Sequence, residues 1–116
     1  MPDTLSVTTH DPADGVRVLC ISGDLDHDTA PMLLTAIEEA LEDGSNQLVA
    51  DLTNVAFCDS AGLSLFVDTH RRLTARGGWF RLAAPQTGIR YVLDVTNLDG
   101  YLTVTATVKT ALELPA

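Results

Sequence analysis

Ser60 lies in the run Ala56-Phe57-Cys58-Asp59-Ser60-Ala61-Gly62-Leu63, where one short polar pair separates two apolar stretches. If a helix begins near Ala61, Ser60 is its N-cap, with its hydroxyl at the surface beside backbone N–H groups that have no intrahelical partner. Such N–H groups and the helix dipole attract anions, so a phosphoryl group on Ser60 could be held there without unfolding the helix. Gly62 either lets another chain approach closely or permits tight internal packing. The plainer role for Asp59 and Ser60 is capping alone.

A second polar segment, Gly23-Asp24-Leu25-Asp26-His27-Asp28-Thr29, alternates three acids through a loop. Beside Ser60 these acids would form a negative patch. Two other chemistries are weaker. A Ser60–histidine–aspartate triad with His27 or His70 lacks the strained G-x-S-x-G turn that exposes a serine nucleophile. His70 also falls on the apolar stripe of its helix, which suits a residue at the edge of the core. A metal held by Asp24, Asp26, His27 and Asp28 would need a ligand spacing that no standard loop has. No catalytic residue, metal or cofactor is therefore expected.

These segments need a scaffold, and hydrophobic periodicity supplies one. Leu5–Thr9 and Val16–Ser22 read as strands joined by the turn Asp11-Pro12-Ala13-Asp14-Gly15, with Gly23 ending the second. A helix capped by Asp28 or Thr29 follows, with Pro31 in its first turn, Leu33, Leu34, Ile37, Ala40 and Leu41 at helical spacing, and Gly44 as its stop. Gln47–Leu52 is a third strand, apolar enough for burial on both faces, and Asn54–Asp59 is its end or a connector. A helix from Ala61 to about Arg76 buries Leu63, Phe66, Val67, His70 and Leu73. Trp79–Ala84 is a strand, Thr87–Val95 a short helix, Leu98–Gly100 a turn, Leu102–Thr107 a strand and Val108–Leu114 a final helix. The order ββαβαβαβα predicts an α/β fold. It has one mixed, mostly parallel sheet of four to five strands, with helices packed mainly on one side. The loops after the second and third strands then open at the same end, where ligands of open α/β sheets bind.

The chain of 116 residues fits one domain, 1–116, and 46% hydrophobic residues suffice for a core. Seven basic against sixteen acidic residues, net charge −9, argue against a nucleic-acid or anionic-membrane partner. The first fifteen residues lack the features of a signal peptide, and no apolar run is long enough to span a membrane. Cys20 and Cys58 have neither disulfide-framework nor metal spacing and read as buried, reduced thiols.

The two polar segments together resemble the STAS family, specifically the bacterial anti-sigma factor antagonists. Gly23, Asp24, Leu25 and Asp26 match its G-[ED]-[LI]-D pattern. Asp59, Ser60, Ala61, Gly62 and Leu63 match its D-S-[STA]-G-[LIV] pattern. The resemblance runs from Val16 to Leu114. It implies that Ser60 is phosphorylated by an anti-sigma factor that is also a serine kinase, and that a PP2C-type phosphatase reverses this. It implies that Asp26 supports partner binding, within a contact surface of Asp24, Asp26, His27, Thr29, Asp59, Ala61, Gly62 and Leu63. The unphosphorylated form would bind the anti-sigma factor and free a sigma factor. Many members carry a second hydroxyl where this chain has Ala61, so modification should be single-site. A cytoplasmic monomer is expected. The alternative on the same fold is a constitutive adaptor in a transport or signalling assembly.

Overall fold

In the computed structural model, which describes residues 4–115, the secondary structure follows the ββαβαβαβα order. Strands β1 (Leu5–Ala13) and β2 (Val16–Leu25) form an antiparallel hairpin. Then come α1 (Ala30–Glu42), β3 (Gln47–Cys58), α2 (Ser60–Ala75), β4 (Trp79–Ala83), α3 (Thr87–Val95), a 3₁₀ turn at Leu98–Gly100, β5 (Thr103–Thr105) and α4 (Val108–Glu113). Residues 1–3 and 116 of the expected domain lie outside the described ones.

The sheet order is β1-β2-β3-β4-β5, and every pair after the hairpin is parallel. Parallel neighbours need a crossover, and crossovers are right-handed. With strands added in one direction only, right-handedness sends α1, α2 and α3 to the same face. Leu33, Ile37, Phe66, Leu73, Ile89 and Leu93 from these helices meet Leu19, Ile21, Leu48, Leu52, Phe80 and Leu82 of the sheet in one buried cluster. The short α4 closes part of the opposite face, where Ala111 packs with Val18, Val49 and Ala83.

Arg81 holds α4 in place. It is 5% exposed, and its guanidinium donates to the carbonyls of Ala111 at 2.7 Å, Leu114 at 3.0 Å and Pro115 at 2.8 Å. Arg81 also stacks on Trp79, 3.7 Å from the ring centroid. A cation on the last carbonyls of a helix satisfies acceptors that the helix leaves unpaired.

Several element bounds differ from the sequence expectation, among them β1, which runs on to Ala13 into the expected turn, and β5, which is only Thr103–Thr105. Strand β2 does not stop at Gly23 but passes through it, at φ +116°, to Leu25. A Cβ there would lie 2.6 Å from the Thr4 carbonyl, so only glycine lets the strand continue. Strand β3 runs on to Cys58, because Asn54, Val55, Phe57 and Cys58 keep pairing with β2 across two register shifts. Helix α2 begins at Ser60, one residue early. Cys58 is buried as expected, whereas Cys20 is only partly so.

Candidate functional site

Strands β2 and β3 are parallel and end together, with Leu25 beside Cys58 and Asp24 beside Phe57. The loop before α1 and the junction before α2 therefore leave the sheet as neighbours, at the same end as expected. Two contacts join them directly: the Asp59 N–H donates to the Leu25 carbonyl at 3.0 Å, and the His27 N–H donates to Asp59 Oδ2 at 3.2 Å.

Asp59, rather than Ser60, is the cap of α2. Its Oδ1 accepts from the N–H of Ala61 at 2.8 Å and of Gly62 at 3.4 Å. Asp59 is extended, at φ −97° and ψ −171°, as an N-cap is, while Ser60 is already helical. The capping carboxylate has a chemical consequence. The backbone N–H groups expected to be open to an anion are occupied by a carboxylate. Ser60 is exposed at the first helical position, so a group added to it projects outward beside Asp59.

The preceding loop is braced from within. Asp26 Oδ1 accepts from the N–H of Asp28 at 2.9 Å and of Thr29 at 3.0 Å, and lies 3.2 Å from the Thr29 hydroxyl. That hydroxyl donates to the Asp24 carbonyl at 2.7 Å and accepts from the Asp26 N–H at 2.9 Å. Thr29 is buried, at 1% exposure, and is the residue that precedes α1.

Gly62 is buried under the first turn of α2. A Cβ there would meet Cys58 Sγ at 2.7 Å and the Leu25 side chain at 2.8 Å. Of its two readings, internal packing is the one observed. The apolar surroundings push the Cys58 thiol up to about 12, with the nearby Asp59 charge adding to the effect, so it stays protonated. Ala61 and Leu63 are partly exposed, and His27 is exposed. The structure thus brings the expected residues to one end of the sheet, but divides them. Asp24, Asp26, His27, Asp59, Ser60, Ala61 and Leu63 reach the surface at least in part, while Thr29 and Gly62 support it from below.

Two apolar hollows flank the exposed side of α2. One, of about 370 Å³, is lined by Ser60, Leu63, Ser64, Val67, Asp68 and Leu98. The other, of about 270 Å³, lies between α1 and α2 and includes His27, Pro31, Leu34, Ala61, Ser64 and Asp68. Phe57, 51% exposed near the end of β3, lines a smaller hollow against α3. Sequence reasoning missed Phe57, Ser64, Asp68 and Leu34. Ser64 and Asp68 could have been found from their i+4 and i+8 spacing from Ser60.

Among the described residues no hydrogen bond joins Ser60 to a histidine, and no group of three or more His, Cys, Asp or Glu could hold a metal ion. His70 stands edge-on to Tyr101, with ring centroids 4.8 Å apart, at the margin of the core.

Comparison with known proteins gives one consistent answer. Residues 8–111 match the STAS domain family. The anti-sigma-F factor antagonist RsfB of Mycobacterium tuberculosis is 33% identical over 96% of this chain and 89% of its own length. An anti-sigma-B factor antagonist of Staphylococcus aureus is 29% identical over 86% of this chain and 90% of its own. The crystal structure of an anti-sigma factor antagonist from Mycobacterium paratuberculosis superposes with a TM-score of 0.84, at 34% identity, covering 97% of this chain and 94% of that one.

Proposed function

The chain belongs to the STAS-domain family of anti-sigma factor antagonists, and on that premise we propose that it is a phosphorylation-controlled switch acting in the cytoplasm. Unphosphorylated, it binds an anti-sigma factor with serine kinase activity and so releases a sigma factor. Phosphorylation of Ser60 ends the binding, and a PP2C-type phosphatase restores it. The protein is then a substrate of enzymes and not itself one.

The observation that carries this reading is the position of Ser60. Its hydroxyl is exposed at the start of α2, next to the Asp59 cap and on the rim of an apolar hollow. A small hydroxyl in that place suits close contact with another protein. A phosphoryl group adds nearly two negative charges and three oxygens. Asp59 already holds the N–H groups of Ala61 and Gly62, so the phosphate gains no backbone cradle from them and stands beside a carboxylate. A partner would have to bury an unpaired dianion, at a cost of about 3–5 kcal/mol. By the standard relation between free energy and affinity this lowers binding by on the order of a hundredfold or more. Nothing in the switch requires refolding, because the cap of α2 is Asp59 and stays intact.

The test is the intact mass and peptide map of the protein taken from its own cells in growth and under stress. One phosphate on Ser60, varying with condition, is the expected result. Ser60→Ala should retain the anti-sigma factor and resist phosphorylation, and Ser60→Asp should bind more weakly. If Ser60 is unmodified in every condition and both variants bind like the wild type, the kinase-controlled switch is wrong and a constitutive adaptor remains.

A further inference from the structure

Both hollows on the exposed side of α2 share two residues, Ser64 and Asp68. Ser60, Ser64 and Asp68 follow one another at i+4 and so form one ridge along the helix, with an apolar groove on either side. Asp68 is eight residues from Ser60, about 12 Å along the axis at the α-helical rise. It stands where the two grooves meet, and among the described residues no ion pair reaches it. Arg72, one turn further on, is held by Glu38 at 2.6 and 3.3 Å. Neither groove is lined by a lysine or arginine. The whole chain carries a net charge of −9.

We infer that Asp68 is the second anchor of the partner-binding surface, and that it selects the partner. The occupant is a patch of the anti-sigma factor in which two apolar side chains flank a lysine or arginine. The apolar pair fills the grooves and the cation meets Asp68. Charge complementarity argues for this occupant. The grooves offer apolar area, their one shared charge is negative, and the chain's excess of acids draws a basic surface toward it. The anchor lies too far along the helix to touch a phosphate on Ser60. Ser60 would then decide when binding occurs, and Asp68 with what. This inference rests on the proposed function.

The probe is the anti-sigma factor recovered from the protein's own cells on the Ser60→Ala variant, then purified and titrated calorimetrically at low and moderate salt. Asp68→Lys should weaken binding about tenfold, more at low salt, and Asp68→Asn about threefold. Asp14→Lys makes the same charge change in the β1–β2 turn, at the far end of β2, and should stay within twofold of wild type. Reversing one lysine or arginine of the partner to glutamate should restore Asp68→Lys. Circular dichroism melts confirm that the variants fold. The inference is overturned if Asp68→Lys binds like wild type, if it loses no more than Asp14→Lys, or if no partner reversal restores it. In each of those cases, Ser60-controlled binding of the wild type leaves the proposed function standing. Failure of the wild type to bind any anti-sigma factor overturns both.

Discussion

The β2–α1 loop and the β3–α2 junction leave the sheet side by side, and each has an aspartate that accepts backbone N–H groups, but only Asp59 caps a helix and the two aspartates do different work. Asp26 turns inward on its own loop, binding the N–H groups of Asp28 and Thr29. Asp59 divides its oxygens, one holding the first turn of α2 and the other reaching across to His27 in the neighbouring loop. Asp26 therefore shapes one segment, whereas Asp59 joins two. The difference shows that the side-chain bridge between the two segments runs through Asp59, directly beside the residue proposed to change charge.

The packing beneath that fastening should be the least tolerant point. Gly62→Val places a branched side chain against Cys58 and Leu25, both buried, and should cost about 3 kcal/mol in urea unfolding, as overpacked cores do. A loss below about 0.5 kcal/mol would mean that the α2 junction is looser than these contacts imply.

Next in size are the aspartates themselves. Asp59→Ala should cost about 2 kcal/mol, within the range found when capping residues are removed, and Asp26→Ala about 1 kcal/mol for the loop hydrogen bonds it loses. Asp59→Asn should lie between wild type and Asp59→Ala, because an amide has one acceptor oxygen where the carboxylate uses two. Hydrogen exchange sharpens the contrast. Asp59→Ala should deprotect amides in both segments, and Asp26→Ala only those from Asp28 onward. Equal losses, or loop-wide exchange in both variants, would break the distinction between a local brace and a bridging one.

The smallest effect should come from a side-chain link between α1 and α2, the half-buried Arg72–Glu38 pair. The guanidinium beside Glu38 holds its carboxyl below the ordinary value of 4.5. A carboxyl depressed in the folded state adds stability that is present above its unfolded pKa and lost as pH falls through its folded one. Wild type should therefore exceed Glu38→Gln slightly at neutral pH, and the two unfolding curves should converge as pH falls through the lowered folded-state pKa of Glu38. A difference that persists in acid where Glu38 is fully protonated would mean that the pair matters for packing and not for charge.

Most of the architecture was legible in the sequence because it rests on hydrophobic period. The spacing of Leu33, Ile37 and Ala40, and the apolar run from Leu48 to Ala50, specify a helix and a doubly covered strand without further information. The errors came where a residue's usual preference was overridden by its neighbours. Gly23 reads as a stop, yet the close approach of Thr4 makes glycine a requirement for continuing. Asn54 to Asp59 reads equally as a strand end or a connector, and it is pairing of Asn54, Val55, Phe57 and Cys58 with β2 that makes it strand. At the site, Asp59 and Ser60 are both good N-caps, and sequence alone does not decide between them. The hollows were not visible at all, because they arise from how α1, α2 and the 3₁₀ turn pack side by side.

Trp79 is the chain's only tryptophan, and it lies under the Arg81 guanidinium at the start of β4, paired with Gln47 and so at the opposite end of β3 from Cys58. The single indole thus sits on the segment that Arg81 ties down and away from the surface where the switch would operate. Its emission should report detachment of residues 111–115, by a red shift as the ring meets water, and remain silent while Ser60 gains or loses a phosphate.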